Sequence, residues 1–308
     1  MNLLLTGAWA SAQAQLPRLE AEGYRVVYMG QERDLLPCDP AWVEGVVCNG
    51  LFLHHSIDDF TGLRFIQLTS AGLDRVPLDR IRARGIRLYN ARGVYSVPMA
   101  EFALSGVLAL YKQSRFFLDG QRSRRWEKRR DLLELAGRTV TVLGCGSVGT
   151  ECAKRFAAFG CPVTGVDLFP RQDSAYEAML PLETLDALLP QTDILVLTLP
   201  LSPETRGLID ARRLALLKPG AVLVNIARGA LVEESALLAA LSDGRLSGAV
   251  LDVFETEPLP PDSPLWALEN LILTPHNSFV GDGNEDRLTR LILERLAAEA
   301  AGKEAHAL

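Results

Sequence analysis

The sequence predicts an α/β protein made of two doubly wound parallel-sheet domains, one inserted into the other. Three observations predict this. Short β-like runs alternate with helical stretches along the whole chain of 308 residues, long enough for two domains. A strand, a Gly-rich turn, a helix and a second strand follow one another in TVTVLGCGSVGTECAKRFAAFGCPVTGVD, residues 139–167. That unit lies near the middle of the chain, so something of domain size precedes it.

The elements follow in order. Apolar runs at residues 2–6, 25–29, 45–48, 64–68 and 86–89 read as strands with helical stretches between them, the first helix reaching Ala21. Residues 98–118 read as one long helix, with Pro98 in its first turn, where a missing N–H costs little. Strands are expected next at 139–143, 162–166, 194–197, 221–225, 248–252 and 271–273. From Leu288 helical spacing runs unbroken to Gly302, and this helix is expected to pack back on the first domain. The boundaries are therefore 1–97 plus 277–308 for one domain and 98–276 for the other. No solenoid-period repeat or low-complexity tract occurs.

The Gly-rich turn carries the first chemistry. Gly144, Gly146 and Gly149 stand in G-x-G-x-x-G spacing. The first suits a tight turn, the second a close backbone approach to a pyrophosphate, and the third close helix–sheet packing. The helix that follows offers N–H groups and a partial positive charge to phosphates. Asp167 ends the next strand about 20 residues on, where a carboxylate accepts hydrogen bonds from an adenosine ribose. A Gly-rich turn in an ordinary α/β protein is the plain alternative; the context favours a dinucleotide. Asp167 also favours NAD over NADP. A 2′-phosphate about 4 Å from a carboxylate meets roughly 4 kcal/mol of repulsion at an effective dielectric near 20, before screening. Arg171 lies close enough in sequence to offset part of that.

Bulk properties narrow the function. The net charge is −6 and the pI about 5.4, which argues against nucleic acid or an anionic membrane as the main partner. The basic cluster Arg122, Arg124, Arg125, Lys128, Arg129 and Arg130 around Trp126 reads as a solvated connector or interface, with a phosphate patch as the lesser alternative. The five cysteines, Cys38, Cys48, Cys145, Cys152 and Cys161, are odd in number and form no C-x-x-C, so free thiols in a reducing, cytoplasmic setting are expected, and no metal site. MNLLLTGAWA lacks a basic flank and reads as a first strand, not a signal peptide. No apolar run is long enough to span a membrane.

Ligands of open α/β sheets bind beyond the carboxyl ends of the strands. In the second half those ends lead into Ile226-Ala227-Arg228-Gly229, into Val253-Phe254-Glu255-Thr256-Glu257-Pro258 after Asp252, and into Thr274-Pro275-His276-Asn277. Hydride transfer to a carbonyl needs a proton donor and a substrate held close to the nicotinamide. A His supplies the proton, a neighbouring carboxylate favours its charged form, and an Arg holds a carboxylate with its planar fork. Of four histidines, His54 and His55 read as surface and His306 as tail; His276 alone sits at a strand end of the dinucleotide domain. Singly each of Arg228, Glu257 and His276 has an ordinary structural reading; their joint placement points to catalysis.

At this point the chain resembles the D-isomer-specific 2-hydroxyacid dehydrogenase family over nearly all residues after about Leu63. The resemblance rests on LTSAGLDRVP (68–77), NARGVYSVPMAEFAL (90–104), VLGCGSVG (142–149), TLPLSPETRGLID (198–210), LKPGAVLVNIARGALVEE (217–234), LDVFETEPLP (251–260) and LILTPHNSF (271–279), in that order. It implies a Rossmann NAD-binding domain inserted into a flavodoxin-like substrate domain, with a homodimer. It places the catalytic Arg, Glu and His on Arg228, Glu257 and His276. The phosphate turn falls on Gly144, Gly146, Ser147, Val148 and Gly149. Thr198, Leu199, Pro200, Thr205 and Ala227 line the cofactor, and Asp252 holds the nicotinamide amide. The Ser70-Ala71-Gly72 backbone, with Arg228 and His276, holds the substrate.

Two departures stand out. Asn277-Ser278-Phe279 follows the His where many members have small apolar residues, and the segment around Trp126 is more basic than usual. Leu51 and Phe52 are candidates for the substrate wall. The expected activity is interconversion of small 2-oxo and D-2-hydroxy acids with NAD. A dinucleotide-sensing, corepressor-like regulator is the alternative. The full Arg–Glu–His set and the acidic charge favour the enzyme.

Overall fold

The computed structural model describes residues 1–302. Backbone contacts divide the chain into two units, Met1–Tyr95 together with the chain from Gly281 on, and Ser96–Val280. The second is thus inserted in the chain of the first. Residues 277–280 belong to the unit that carries His276, whereas the sequence boundary leaves them outside it.

The first unit holds β1 (Asn2–Thr6), α1 (Ala12–Ala21), β2 (Arg25–Met29), β3 (Gly45–Cys48), β4 (Phe65–Leu68), α2 (Leu78–Ala83) and β5 (Arg87–Tyr89). All five strands are parallel, in the order β2-β1-β3-β4-β5. That is the flavodoxin-like order. The strands are apolar on both faces because both faces are covered. Leu3 and Leu5 pack on one side with Trp9, Leu19, Leu288, Ile292 and Leu296, and Leu4 on the other with Val46, Phe60 and Ile66. The C-terminal helix therefore does pack on the first sheet. Trp9 Nε1 donates to Thr289 Oγ1 at 2.9 Å, and the Tyr24 hydroxyl donates to the Leu296 carbonyl at 2.9 Å. His306 lies outside the described residues.

The second unit contains α3 (Ser96–Tyr111), α4 (Ser114–Arg122), β6 (Val140–Leu143), α5 (Ser147–Ala158), β7 (Val163–Asp167), β8 (Ala178–Pro181), α6 (Leu185–Leu188), β9 (Ile194–Leu197), α7 (Ala211–Leu216), β10 (Ala221–Asn225), α8 (Glu234–Ser242), β11 (Leu246–Leu251) and β12 (Leu271–Leu273). Its seven-stranded parallel sheet runs β12-β11-β10-β9-β6-β7-β8. The sequence turns back at β6 and β9, a topological switch point that opens a crevice above the carboxyl ends of those strands. Leu195 and Leu197 pack into one face of the sheet, Ile194 and Val196 into the other. The C-terminal helix of the first unit is α9 (Asn284–Ala300).

Two expectations change. The helix expected over 98–118 is broken: Gln113 takes φ 53°, in the left-handed region, so α3 stops and α4 starts in a new direction. Apolar spacing continues across this break, which is why periodicity alone missed it. Strand β8 was also not expected. It is an exposed edge strand ending in Pro181 and has little apolar signal. Residues 123–134 form neither helix nor strand, and Trp126 there is 98% exposed. Arg129 pairs with Asp131 at 2.5 Å and lies 5.0 Å over the Phe116 ring. No helix among the described residues is long and apolar enough to cross a membrane.

Candidate active site

The Gly-rich turn joins β6 to α5 at the switch point. Gly144 takes φ +98°, and a Cβ there would stand 2.5 Å from the Leu199 nitrogen. Gly149 is packed still more closely, its Cβ position lying 2.1 Å from the Gly144 carbonyl oxygen. Gly146 differs: a Cβ would meet nothing within 4 Å. The backbone at Gly146 therefore faces open space, and Ser147 and Val148 begin α5 there, where first-turn N–H groups lack helical partners. These features fit a pyrophosphate.

The turn is clasped from beside it. Asp167 Oδ2 accepts from the Cys145 N–H at 2.6 Å and Oδ1 from the Phe169 N–H at 2.9 Å. Arg171 donates to the Cys145 carbonyl at 2.8 Å. Asp167 thus braces the Gly-rich turn. Burial pushes the Cys145 thiol up to about 11, so it stays protonated near neutral pH. Thr198 Oγ1 donates to the Gly144 carbonyl at 2.5 Å, tying the end of β9 to the turn. Leu199 is buried and Pro200 exposed. The Thr205 hydroxyl is buried inside its own loop, donating to the Pro200 carbonyl at 2.9 Å and accepting from the Ser202 N–H at 2.7 Å. It shapes that loop from within.

The loops after β11 and β12 bring Glu257 and His276 together, while the Arg228 guanidinium, after β10, donates to the Ala227 carbonyl at 2.7 Å. Glu257 Oε2 lies 2.8 Å from His276 Nδ1, and Glu257 Oε1 accepts from the Phe254 N–H at 3.0 Å. This carboxylate both orients the imidazole and fixes its own loop. The Phe279 ring stands edge-on to His276 with centroids 6.4 Å apart. Arg228 follows the buried Ala227, and its loop is pressed on the next one: a Cβ at Gly229 would lie 1.9 Å from the Phe254 carbonyl carbon.

Two buried polar residues at strand ends hold these loops, and sequence reasoning did not weigh the first of them. Asn225 accepts from the Ala227 N–H at 3.1 Å and donates to the Arg228 carbonyl at 3.0 Å. Asp252, 1% exposed, accepts from Thr274 Oγ1 at 2.6 Å and from the N–H groups of Asn277 at 2.7 Å and Ser278 at 2.9 Å. A polar residue closing an all-apolar strand run, as in AVLVN, is the signal that would have found Asn225. In the first unit, Asn90 Nδ2 donates to the Ala71 carbonyl at 2.6 Å and the Ala91 N–H to the Ser70 carbonyl at 2.9 Å. The Ser70 hydroxyl reaches the Gly72 carbonyl at 3.1 Å. All three carbonyls of the Ser70-Ala71-Gly72 loop are therefore held. Among the described residues no cluster of three or more His, Cys, Asp or Glu side chains is arranged to hold a metal ion.

Residues 104–278 match the model of the D-isomer specific 2-hydroxyacid dehydrogenase family, NAD binding domain. The chain belongs to the D-isomer specific 2-hydroxyacid dehydrogenases. It is accordingly an oxidoreductase with an NAD-binding domain. One relative in the family, (S)-sulfolactate dehydrogenase of Chromohalobacter salexigens, is 37% identical over 241 residues, 77% of each chain. A family member from Aeromonas salmonicida has a similar structure, with a TM-score of 0.87, 32% identity, and coverage of 99% of this chain and 97% of that one. A third, from Xanthobacter autotrophicus in complex with NADPH and MES, superposes with a TM-score of 0.81 at 32% identity over 99% of this chain and 96% of that one.

Proposed function

We propose that this dehydrogenase interconverts small 2-oxo acids and D-2-hydroxy acids, with NADH preferred over NADPH. The observation that carries the reading is the 2.8 Å contact of Glu257 with His276 Nδ1. It leaves Nε2, on the far side of the ring, as the atom that exchanges a proton with substrate.

A nicotinamide dinucleotide, when bound, supplies or accepts the hydride at the substrate C2. Gly144, Gly146, Ser147, Val148 and Gly149 would hold its pyrophosphate, Asp167 its ribose, and Thr198, Leu199, Pro200, Thr205 and Ala227 the wall beside it. In reduction, His276 holds a proton at Nε2 and gives it to the carbonyl oxygen. Glu257 holds Nδ1–H, keeping the ring oriented and balancing the imidazolium charge. Arg228 binds the substrate carboxylate and the carbonyl oxygen with its fork, polarising the carbonyl. In oxidation neutral His276 accepts the hydroxyl proton.

The test is NADH consumption against a panel of 2-oxo acids for the wild type and for His276→Ala. We expect turnover by the wild type and a loss of at least about 100-fold in the variant. Reduction takes a proton from His276 and oxidation returns one to it. A pH profile left unchanged in His276→Ala would sink the acid/base role. No turnover on any acid, with tight NADH binding, would favour a dinucleotide-sensing regulator. A higher kcat/KM with NADPH than with NADH would overturn the cofactor preference. The reading further includes a cytoplasmic homodimer with no nucleic-acid partner, the oligomeric state being measured by light scattering.

A further inference from the structure

Glu32 is a carboxylate that the chemistry above does not use, and it is anchored where open α/β sheets take ligands. The first sheet runs β2-β1-β3-β4-β5, so the strand order reverses between β1 and β3, and its ligand edge lies beyond their carboxyl ends. Thr6 ends β1, and Asn49 and Gly50 leave β3. All three donate to Glu32. Its Oε1 accepts from the Thr6 hydroxyl at 2.7 Å and from the Asn49 N–H at 2.7 Å, and its Oε2 accepts from the Gly50 N–H at 2.6 Å. The Glu32 carbonyl lies 2.9 Å from His55 Nε2, further along the same loop.

That loop is held from its other end as well. Arg84 donates to the Ile57 and Phe60 carbonyls at 2.6 Å each, and the Phe52 and Phe60 rings meet edge to face with centroids 5.5 Å apart. Leu51 is buried, whereas Leu53 is 60% exposed. Leu53 packs beside the point that Glu32 holds: a Cβ on Gly50 would lie 3.4 Å from both Glu32 Oε2 and Leu53 Cδ1. Side chains thus fix a loop whose own secondary structure is two three-residue 3-10 turns, Leu51–Leu53 and Ile57–Asp59.

We propose that Glu32 is a positioning residue for substrate selection. It sets the loop after β3 so that Phe52 and Leu53 receive the side chain of the 2-oxo acid, and it thereby favours acids with apolar side chains. The inference rests on the reading of the protein as a 2-oxo acid reductase. Glu32 takes the N–H groups of Asn49 and Gly50, so the surface this crest offers a substrate is apolar. The charge matters as well as the length. A carboxylate only accepts, and a Gln in its place would turn an NH2 toward one of the three donors.

Glu32→Gln is compared with wild type for reduction of glyoxylate and of 4-methyl-2-oxopentanoate, alongside NADH affinity by fluorescence titration. Glyoxylate has no side chain for the crest to touch. We expect the wild type to favour the branched acid in kcat/KM, and the variant to lower that preference about tenfold, mostly through KM. Glyoxylate reduction and NADH affinity should each stay within about threefold. A wild type that favours glyoxylate, a preference unchanged in Glu32→Gln, or an equal loss on both acids would each overturn the proposal; the last is what a merely structural role produces. Leu53→Ala leaves the hydrogen bonds of the loop in place, so it serves if Glu32→Gln does not fold. We expect about a fivefold lower preference there, and a wild-type preference would refute the proposal. No turnover of any 2-oxo acid by the wild type would instead defeat the underlying reading, and this inference with it.

Discussion

Gly229→Ala is the sharpest single test of how the catalytic loops are assembled. The added methyl would stand 1.9 Å from the Phe254 carbonyl carbon, 2.1 Å from its oxygen and 2.4 Å from the Glu255 nitrogen. All three are backbone atoms, so no rotamer change relieves the overlap. Ordinary contact begins near 3.4 Å, and the two loops must separate by about 1.5 Å. Catalytic hydrogen bonds tolerate only about 0.6 Å of spread, so Arg228 and the Glu257–His276 pair would no longer reach one substrate together. A loss near 100-fold in kcat/KM follows, equivalent to about 2.7 kcal/mol of transition-state stabilisation. Overpacking costs about 1–3 kcal/mol of stability in addition. Steady-state reduction kinetics, a thermal unfolding scan and NADH titration measure the three consequences. NADH affinity should change less, because the Gly-rich turn follows β6, two strands along the sheet from β10 and clear of the loops that Gly229 separates. Wild-type kcat/KM in a folded Gly229→Ala protein would refute the reasoning.

Other expectations follow from the same structure. Gly149→Ala places a methyl 2.1 Å from the Gly144 carbonyl oxygen and should weaken NADH binding about tenfold or more; unchanged affinity in a titration would count against the role of the turn. Asp167→Asn removes the charge beside the ribose site and should shift the NADH to NADPH ratio of kcat/KM toward NADPH by about tenfold after screening, and a constant ratio would remove Asp167 from cofactor choice. Glu299 is buried at the end of α9, where it accepts from Arg87 at 2.8 and 2.5 Å and from the Tyr89 hydroxyl at 2.6 Å. Burial pushes this carboxyl up, but the Arg87 and Tyr89 hydrogen bonds outweigh it and hold it below its ordinary value. Its contribution is therefore present above the unfolded carboxylate value of about 4.3 and is lost as pH falls through the lower folded value. Glu299→Gln should cost about 2–3 kcal/mol at pH 7, less than a fully buried pair because Arg87 is 36% exposed. Urea midpoints between pH 3 and 7 should fall less steeply in the variant; parallel curves would exclude Glu299 as a source of acid sensitivity.

Much of the architecture was legible in advance, for reasons tied to particular residues. Strands such as Ile194–Leu197 and Ala221–Asn225 are short apolar runs bounded by breakers, and in a sheet covered on both faces nothing else can fill that place. Gly144 and Gly149 were legible because each answers a local demand, a left-handed turn at φ +98° for the first and an approach of 2.1 Å to the Gly144 carbonyl oxygen for the second. Gln113 shows where this stops. A left-handed residue inside an apolar run leaves the hydrophobic spacing intact, so the break between α3 and α4 has no periodic signature.

The sequence by itself determined which chemical groups are available and on which strand ends they stand, because spacing, strand order and local turn requirements are properties of neighbouring residues. Only the tertiary structure decided how those groups are held. Arg228, Glu257 and His276 come from three different strand ends, and their alignment depends on contacts between residues far apart in the chain. Gly229 is pressed on Phe254, Glu257 meets His276, and Asp252 draws in Thr274, Asn277 and Ser278. Hydrogen bonds and close packing act over about 3–4 Å, a scale that sequence separation does not encode. The carboxylate of Asp252 stands out in its motif, but only the folded chain shows that Thr274, Asn277 and Ser278 all donate to it.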